Sequence, residues 1–378
     1  MNRIECLDGL RGLAALWVLI GHCMILTGFF PPILGQPDLG VDLFIYLSGF
    51  LMVFQYNQRK SREDWTRPAV WVGFWVRRFF RLSPVYFVLL AVALLAGKAI
   101  YADRVLIDTF VGNTLQAPDR YADGSAINVV MHLTYLFGLI PSYSFRTPLP
   151  DWSLGLEMQF YAAFPFVVLF ARRAGWLTAA ACTAALAIVI AVALKVAHIS
   201  FPMPSLLALK MHMFLAGMLI AAAGERKGPY LLLAMALAAI PIGGARDVTH
   251  IVVREVLLIL LFGLIHWRSI GLVDRASKLL GSPPFHWLGE LSYGVYLIHL
   301  LVLHAIAAWV IQDWGHEISS ALRFCIAFGI AAPAAYAAAF VTYALIERPG
   351  QKLGKIVMRL FGQRKLGGQT PAEEIAAP

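Results

Sequence analysis

Long apolar runs broken by short polar and basic stretches dominate this chain. Runs long enough for a membrane helix, which needs about 20 residues, fall near 10–30, 40–56, 80–100, 152–171, 175–195, 205–223, 230–244, 250–267, 287–311 and 321–346. The pattern predicts an all-α polytopic membrane protein with about ten transmembrane helices. Residues 126–141 are also apolar, but the stretch is short and is closed by Pro141 and Pro148. It is expected to form a re-entrant or interfacial piece within an outer loop of about 50 residues, long enough to be functional. No internal repeat is evident, so the inverted symmetry of many transporters gains no support.

Charge gives the runs a direction. With the N-terminus inside, Arg59, Lys60, Arg62, Arg67, Arg77, Arg78 and Arg81 share one cytoplasmic loop. The same choice puts Arg172 and Arg173, Arg226 and Lys227, Arg268, Arg275 and Lys278, and the basic stretch from Arg348 to Lys365 inside. Lys98, Arg104, Arg120, Arg146, Lys195 and Arg246 fall on the other side. The asymmetry predicts that both termini are cytoplasmic. Residues 1–349 are expected to form the membrane domain, and 350–378 a basic cytoplasmic tail, disordered after about Lys365, where Gly, Pro, Glu and Ala dominate. Arg3, Glu5 and Asp8 precede an apolar run without a convincing small-residue cleavage site, so the first helix is expected to stay as an anchor.

Composition agrees with this pattern: 60% of residues are hydrophobic and 14% charged, too apolar for a soluble protein of this length. The net charge of +9 lies beside apolar segments, which argues for membrane lipids as partners and against nucleic acid. Cys6, Cys23, Cys182 and Cys325 show no paired spacing and read as small core residues.

Ionisable residues inside a span are costly and mark candidate sites. Arg11 and His22 lie on one predicted helix, eleven residues apart, within about 20° of the same face and roughly 16 Å apart along the axis. A neutral imidazole at mid-membrane depth can act as a general base, or His22 can be a packed histidine bonded to a neighbouring helix. Arg11 can be a cytoplasmic anchor, or it can hold an anion whose flexible arm reaches inward to His22. Coenzyme A has that shape, and a guanidinium is a rigid fork of donors for phosphate. Arg78 and Arg81, at i and i+3, can converge on one anion, or can form a juxtamembrane belt for lipid head groups. Glu157 lies near the outer end of the fourth run, with Tyr161 at i+4; it can meet an acceptor arriving from outside or pair structurally with a polar group. Asp151 and Ser153 read as helix caps. Asp42, Ser48, Gly49, Glu290, Tyr293 and His299 can line the same cavity or serve helix packing. No metal-binding or glycine-rich nucleotide motif appears, so no metal is predicted.

These pieces together resemble the integral-membrane acyltransferase 3 family. They are Leu-Asp-Gly-Leu-Arg-Gly-Leu-Ala-Ala with His22, Gly-Val-Asp-Leu-Phe-Ile-Tyr-Leu-Ser-Gly-Phe, Arg-Arg-Phe-Phe-Arg-Leu-Ser-Pro, Trp-Ser-Leu-Gly-Leu-Glu-Met-Gln-Phe-Tyr, Leu-Ser-Tyr-Gly-Val-Tyr-Leu-Ile-His and Ile-Glu-Arg-Pro, in the family's order from residue 3 to about 349. Met158 departs from the acidic residue common after the equivalent of Glu157.

The resemblance implies ten membrane helices and transfer of an acyl group, often acetyl from cytoplasmic acetyl-CoA, to a hydroxyl of a carbohydrate or glycan acceptor. It carries the essential histidine onto His22, its partner arginine onto Arg11 and the donor-binding arginine pair onto Arg78 and Arg81, with Glu157 in a family acidic motif. Direct transfer and an acyl-histidine relay both fit. The chain is expected to reside in a bacterial cytoplasmic (inner) membrane and, being short, to lack the extracytoplasmic hydrolase-like domain fused to some members. The competing class is a proton-coupled transporter or flippase of glycans or small molecules.

Overall fold

A computed structural model describes residues 4–225, 227–243 and 247–366, with side chains described through residue 360. Among the described residues there are helices and no strands. The helices are α1 (Glu5–Thr27), α2 (Pro37–Arg59), α3 (Pro68–Val111), α4 (Asp119–Ala122), α5 (Ala126–Leu133), α6 (Trp152–Ala174), α7 (Trp176–Val196), α8 (Leu207–Ala222), α9 (Lys227–Ala238), α10 (Val248–His266), α11 (Gly271–Leu280), α12 (Pro283–Trp314), α13 (Ser320–Thr342) and α14 (Arg348–Leu366). A π-helical turn, Tyr343–Glu347, joins the last two. Among the described residues, eight helical segments are long and apolar enough to cross a membrane; α8 and α9 are shorter apolar helices at the two remaining expected runs.

Helix directions within the bundle fit ten passes. Contacts of Gly12 with Leu288 and of His22 with His299 run in the same order along α1 and α12, so these helices are parallel. Contacts of Leu82 with Tyr293 and of Phe110 with Gly315 make α3 parallel to α12 as well. Parallel packing of α3 and α12 needs an odd number of passes between them, and α6 to α10 supply five. Had residues 126–141 crossed too, α12 would run the opposite way. They form instead the short helix α5 and a 3-10 turn, Leu136–Leu139, hinged at Tyr135 with φ 61°.

Two expectations about helix limits change. Arg77, Arg78 and Arg81 lie inside α3, not in a loop; that helix has 44 residues and spans about 66 Å, twice the roughly 30 Å hydrocarbon layer. The sequence hid this because a cationic stretch within a long helix looks like a break between spans. The chain also stays helical from Arg348 to Leu366, and the tail expected to be disordered falls largely outside the described residues. Of the cysteines, Cys6 and Cys23 are buried as expected, but Cys182 and Cys325 are exposed.

Close helix contact positions the site. A Cβ placed on Gly289 of α12 would lie 2.1 Å from the Asp8 carbonyl oxygen of α1, so only glycine allows this approach. Gly217 of α8 similarly meets the Tyr46 carbonyl oxygen of α2 at 2.0 Å. Helix α1 stops at Gly28, in the left-handed region, with Gly28 N–H on Ile25 O and Phe29 N–H on Met24 O, the paired bonds of a Schellman end.

The segment between α3 and α6 is pinned by its own ion pairs. Arg146 reaches Asp123 at 2.8 Å and Asp119 at 3.5 Å. Arg120 is buried, its guanidinium carbon 3.4 Å from the centre of the Phe145 ring, and burial pushes its pKa down to about 10. At the other end of the bundle, Asp64 pairs with Arg67 at 3.3 Å and Arg172 at 4.0 Å, tying the 60–67 connection to the end of α6.

Candidate functional site

A cleft between α1, α2, α3, α6 and α12 gathers four of the five residues singled out by sequence. Its inner part is lined by Arg11, Arg78, Arg81 and Glu157, together with Ser48, Gln55, Ser153, Tyr161, Tyr293 and Tyr296. Its wider mouth shares Arg11, Arg81, Gln55 and Tyr293 and adds Asp8, Glu290, Glu347 and Gln351. The inner part is narrower than the mouth.

The three arginines differ in kind. Arg78 is buried, donates from Nη2 to Gln55 Oε1, and lies 5.5 Å from the Phe74 ring centre and 5.3 Å from that of Tyr161. One of its donors is engaged within the protein, whereas Nε and Nη1 donate to no described residue, so it is both part of the wall and able to face an anion in the cleft. Arg11 and Arg81 are half-buried and make no hydrogen bond or ion pair of 4.0 Å or less among the described residues. Unpaired guanidiniums on a cleft wall form an anion-binding arrangement.

Glu157 is anchored through one oxygen. Its Oε1 accepts from Ser48 Oγ at 3.0 Å and from the Tyr161 hydroxyl, while Oε2 accepts nothing among the described residues. Ser153 does not cap α6 with its side chain; its hydroxyl lies 2.6 Å from that of Tyr296, which also donates to Pro150 O at 2.8 Å. Asp151 accepts instead from Thr147 Oγ1 at 2.8 Å and Tyr86 Oη at 3.1 Å.

His22 stands apart from the cleft lining. It shares α1 with Arg11, but its Nδ1 lies 2.9 Å from Val18 O and 3.2 Å from Nε2 of His299 on α12, with ring centres 5.0 Å apart. The Tyr296 ring, on the cleft wall, lies 6.1 Å from the His299 ring. Sequence placed His299 among possible cavity residues; its partner is His22, and its place in the Tyr-Leu-Ile-His stretch was the only signal. His22 Nε2 makes no hydrogen bond among the described residues.

Asp42 follows the second of its two expected roles, helix packing, and does not line the cleft. It is fully buried in an ion triad, with Oδ1 2.6 Å from Lys210 Nζ and Oδ2 2.6 Å from Arg254 Nε. Neither cation was singled out from sequence, because each lies in an apolar run on another helix.

The comparisons with known proteins agree with this assembly. Residues 4–340 match the acyltransferase 3 family model, described as an acyltransferase domain. The chain belongs to that family. A Staphylococcus aureus (strain COL) protein provisionally named O-acetyltransferase SACOL0978 is 30% identical over 174 residues, 45% of this chain and 25% of that protein. A Komagataeibacter xylinus protein provisionally named membrane-bound transacylase BcsY is 34% identical over 43% of this chain and 36% of its own length. Peptidoglycan O-acetyltransferase OatA of Listeria monocytogenes serovar 1/2a (strain ATCC BAA-679 / EGD-e) is 26% identical over 45% of this chain and 25% of its own. The matches thus span a quarter to about a third of these relatives. No solved structure matches.

Proposed function

We propose that this family member is a membrane O-acyltransferase that moves an acyl group, acetyl in the simplest case, from cytoplasmic acyl-CoA to a hydroxyl of a glycan at the outer face of a bacterial inner membrane. The observation that carries the reading is the pair of unpartnered guanidiniums, Arg11 and Arg81, in the wide mouth, with His22 about 16 Å further along α1. Basic residues clustered at the mouth's end of the bundle support a cytoplasmic orientation for both termini and the tail. The names of the relatives support acetyl transfer and, through OatA, a glycan acceptor.

In this reading Arg11 and Arg81 bind the donor's phosphates, and Arg78 shapes the wall beside them. The pantetheine arm enters the narrow part, and the Tyr296 ring turns aside so that the thioester meets His22. Glu157 Oε2 accepts a hydrogen bond from the incoming glycan. His22 Nε2 takes the proton of the acceptor hydroxyl as its oxygen attacks the acyl carbon. The thiolate leaves and receives that proton from His22, giving an ester and free CoA thiol. A base placed in this way contributes about 10²–10⁴-fold.

Sealed vesicles containing the protein in known orientation test the reading. Labelled acetyl-CoA supplied at the mouth's side should label an N-acetylglucosamine oligomer supplied at the other, with one CoA thiol released per ester formed. Unmodified oligomer crossing the membrane without thioester cleavage would establish transport instead. Mass spectrometry of surface glycans from cells with and without the gene identifies the natural acceptor.

A further inference from the structure

We propose that His299 is a positioning residue that, as a second acceptor beside Val18 O, reinforces the tautomer of His22 and stabilises the imidazolium formed when His22 accepts a proton; this rests on the reading of His22 as the base. A carbonyl oxygen only accepts, so the contact of His22 Nδ1 with Val18 O at 2.9 Å places the ring proton on Nδ1. The same reasoning applies to His299, whose Nδ1 lies 3.1 Å from Val295 O. Its Nε2 therefore carries a lone pair, directed at His22 Nδ1 across 3.2 Å. The single N–H of His22 is shared between Val18 O and His299 Nε2, and His22 Nε2 is left as the basic nitrogen.

The arrangement assigns a task to each ring nitrogen. Val18 O alone holds the Nδ1 proton by one bond; His299 Nε2 adds a second acceptor that leaves the proton less free to shift to Nε2, the atom that must face the substrate. When Nε2 is protonated, the charge spreads over the ring, and the Nδ1 bond to His299 becomes charge-assisted and stronger. His299 is fully buried, so its geometry is set by α12 packing on α1. The other titratable or charged groups facing the pair are His304 on α12, Arg104 on α3 and Arg120 on α4, with the Tyr296 hydroxyl on the cleft side. None of these supplies an acceptor to His22 Nδ1.

The test compares His299→Leu, which removes the second acceptor and leaves Val18 O, with His299→Gln, whose amide oxygen restores it. In the full chain in lipid nanodiscs, with acetyl-CoA and an N-acetylglucosamine oligomer, His299→Leu should lower kcat about 10- to 150-fold and leave KM for acetyl-CoA within about twofold, the loss of one hydrogen bond to a charged group. Nitrogen-15 spectra of histidine-labelled protein should show His22 protonated on Nδ1 in the wild type, and its titration midpoint moved down by about one to two pH units in His299→Leu. His299→Gln should recover most of both. If His299→Leu fails to fold, His299→Asn, too short to reach His22, takes its place with the same expected shift. An unchanged kcat and midpoint in a folded variant without the second acceptor overturns the proposal, as does a wild-type His22 protonated on Nε2. Full activity in His22→Ala would instead overturn the reading of His22 as base.

Discussion

Arg11 and Arg81 offer the sharpest quantitative test of the donor site, because neither is tied by a hydrogen bond or close ion pair among the described residues, which largely separates binding from stability. Replacing either by Met removes a guanidinium that makes no hydrogen bond or ion pair of 4.0 Å or less among the described residues and acts on buried Glu347 only electrostatically. Thermal stability should therefore change little, and it should not fall as it would for Arg78→Met, which strips Gln55 of its donor and uncovers the Tyr161 ring. A hydrogen bond to a charged group is worth about 1.5–3 kcal/mol, and each 1.4 kcal/mol is tenfold in affinity. Each single variant should then weaken CoA binding roughly 10- to 150-fold, and the double variant more. Lysine at either position keeps the charge but loses the planar fork, so it should recover only part of the affinity. Titration calorimetry of purified full-length protein with CoA, at low and high salt, measures these values. A Kd within about twofold of wild type in both Met variants, with the wild-type Tm retained, would refute the assignment of these guanidiniums to the donor's phosphates.

Other consequences concern the walls of the site and the outer segment. Asp42→Asn leaves Lys210 and Arg254 buried without their counter-ion, which should cost about 3–5 kcal/mol, read as a lowered Tm in detergent; an unchanged Tm would mean that the triad is not intact. Glu157→Gln keeps an oxygen for Ser48 and Tyr161 to donate to, so Tm and CoA affinity should hold while turnover with the glycan acceptor falls at least about tenfold, the scale of one charged hydrogen bond; equal loss of CoA binding would place Glu157 on the donor side. Burial raises the Asp123 carboxyl, but hydrogen bonds from Ser125 and the Arg146 guanidinium outweigh it and hold its pKa below the usual range. A depressed carboxylate contributes stability that is complete above its unfolded pKa of about 3.9 and is lost as pH falls through the folded value. Hydrogen exchange across residues 119–146 should thus stay protected from neutral pH to about 4 and open below it, whereas Arg146→Gln should open at neutral pH; identical protection in that variant would remove the ion pair from the account.

Sequence reading recovered what periodicity and local cost encode. Apolar runs gave the passes, and the expense of charge inside a span singled out Arg11, His22, Arg78, Arg81 and Glu157, all but His22 on one cleft. Long-range partners were not legible: Asp42 meets Lys210 and Arg254 across 168 and 212 residues, and His22 meets His299 across 277. Each partner sits in an apolar run where a single polar residue looks like a packing detail. The continuity of α3 through Arg77, Arg78 and Arg81 was hidden for the opposite reason, since a cationic stretch resembles a loop until a buried cleft is seen to receive its side chains. The difference among the arginines was equally invisible, because it depends on Gln55, Phe74 and Tyr161 covering Arg78, while Arg11 and Arg81 make no hydrogen bond among the described residues.

Everything proposed for this chain turns on His22 performing acid–base chemistry on a thioester. Release of CoA thiol from labelled acetyl-CoA by the purified full-length protein, with the N-acetylglucosamine oligomer as acceptor, tests it in wild type and His22→Ala. Acceptor-dependent thiol release should drop about 10²–10⁴-fold in the variant, with CoA affinity unchanged. Wild-type thiol release and ester formation in a folded His22→Ala protein would contradict it.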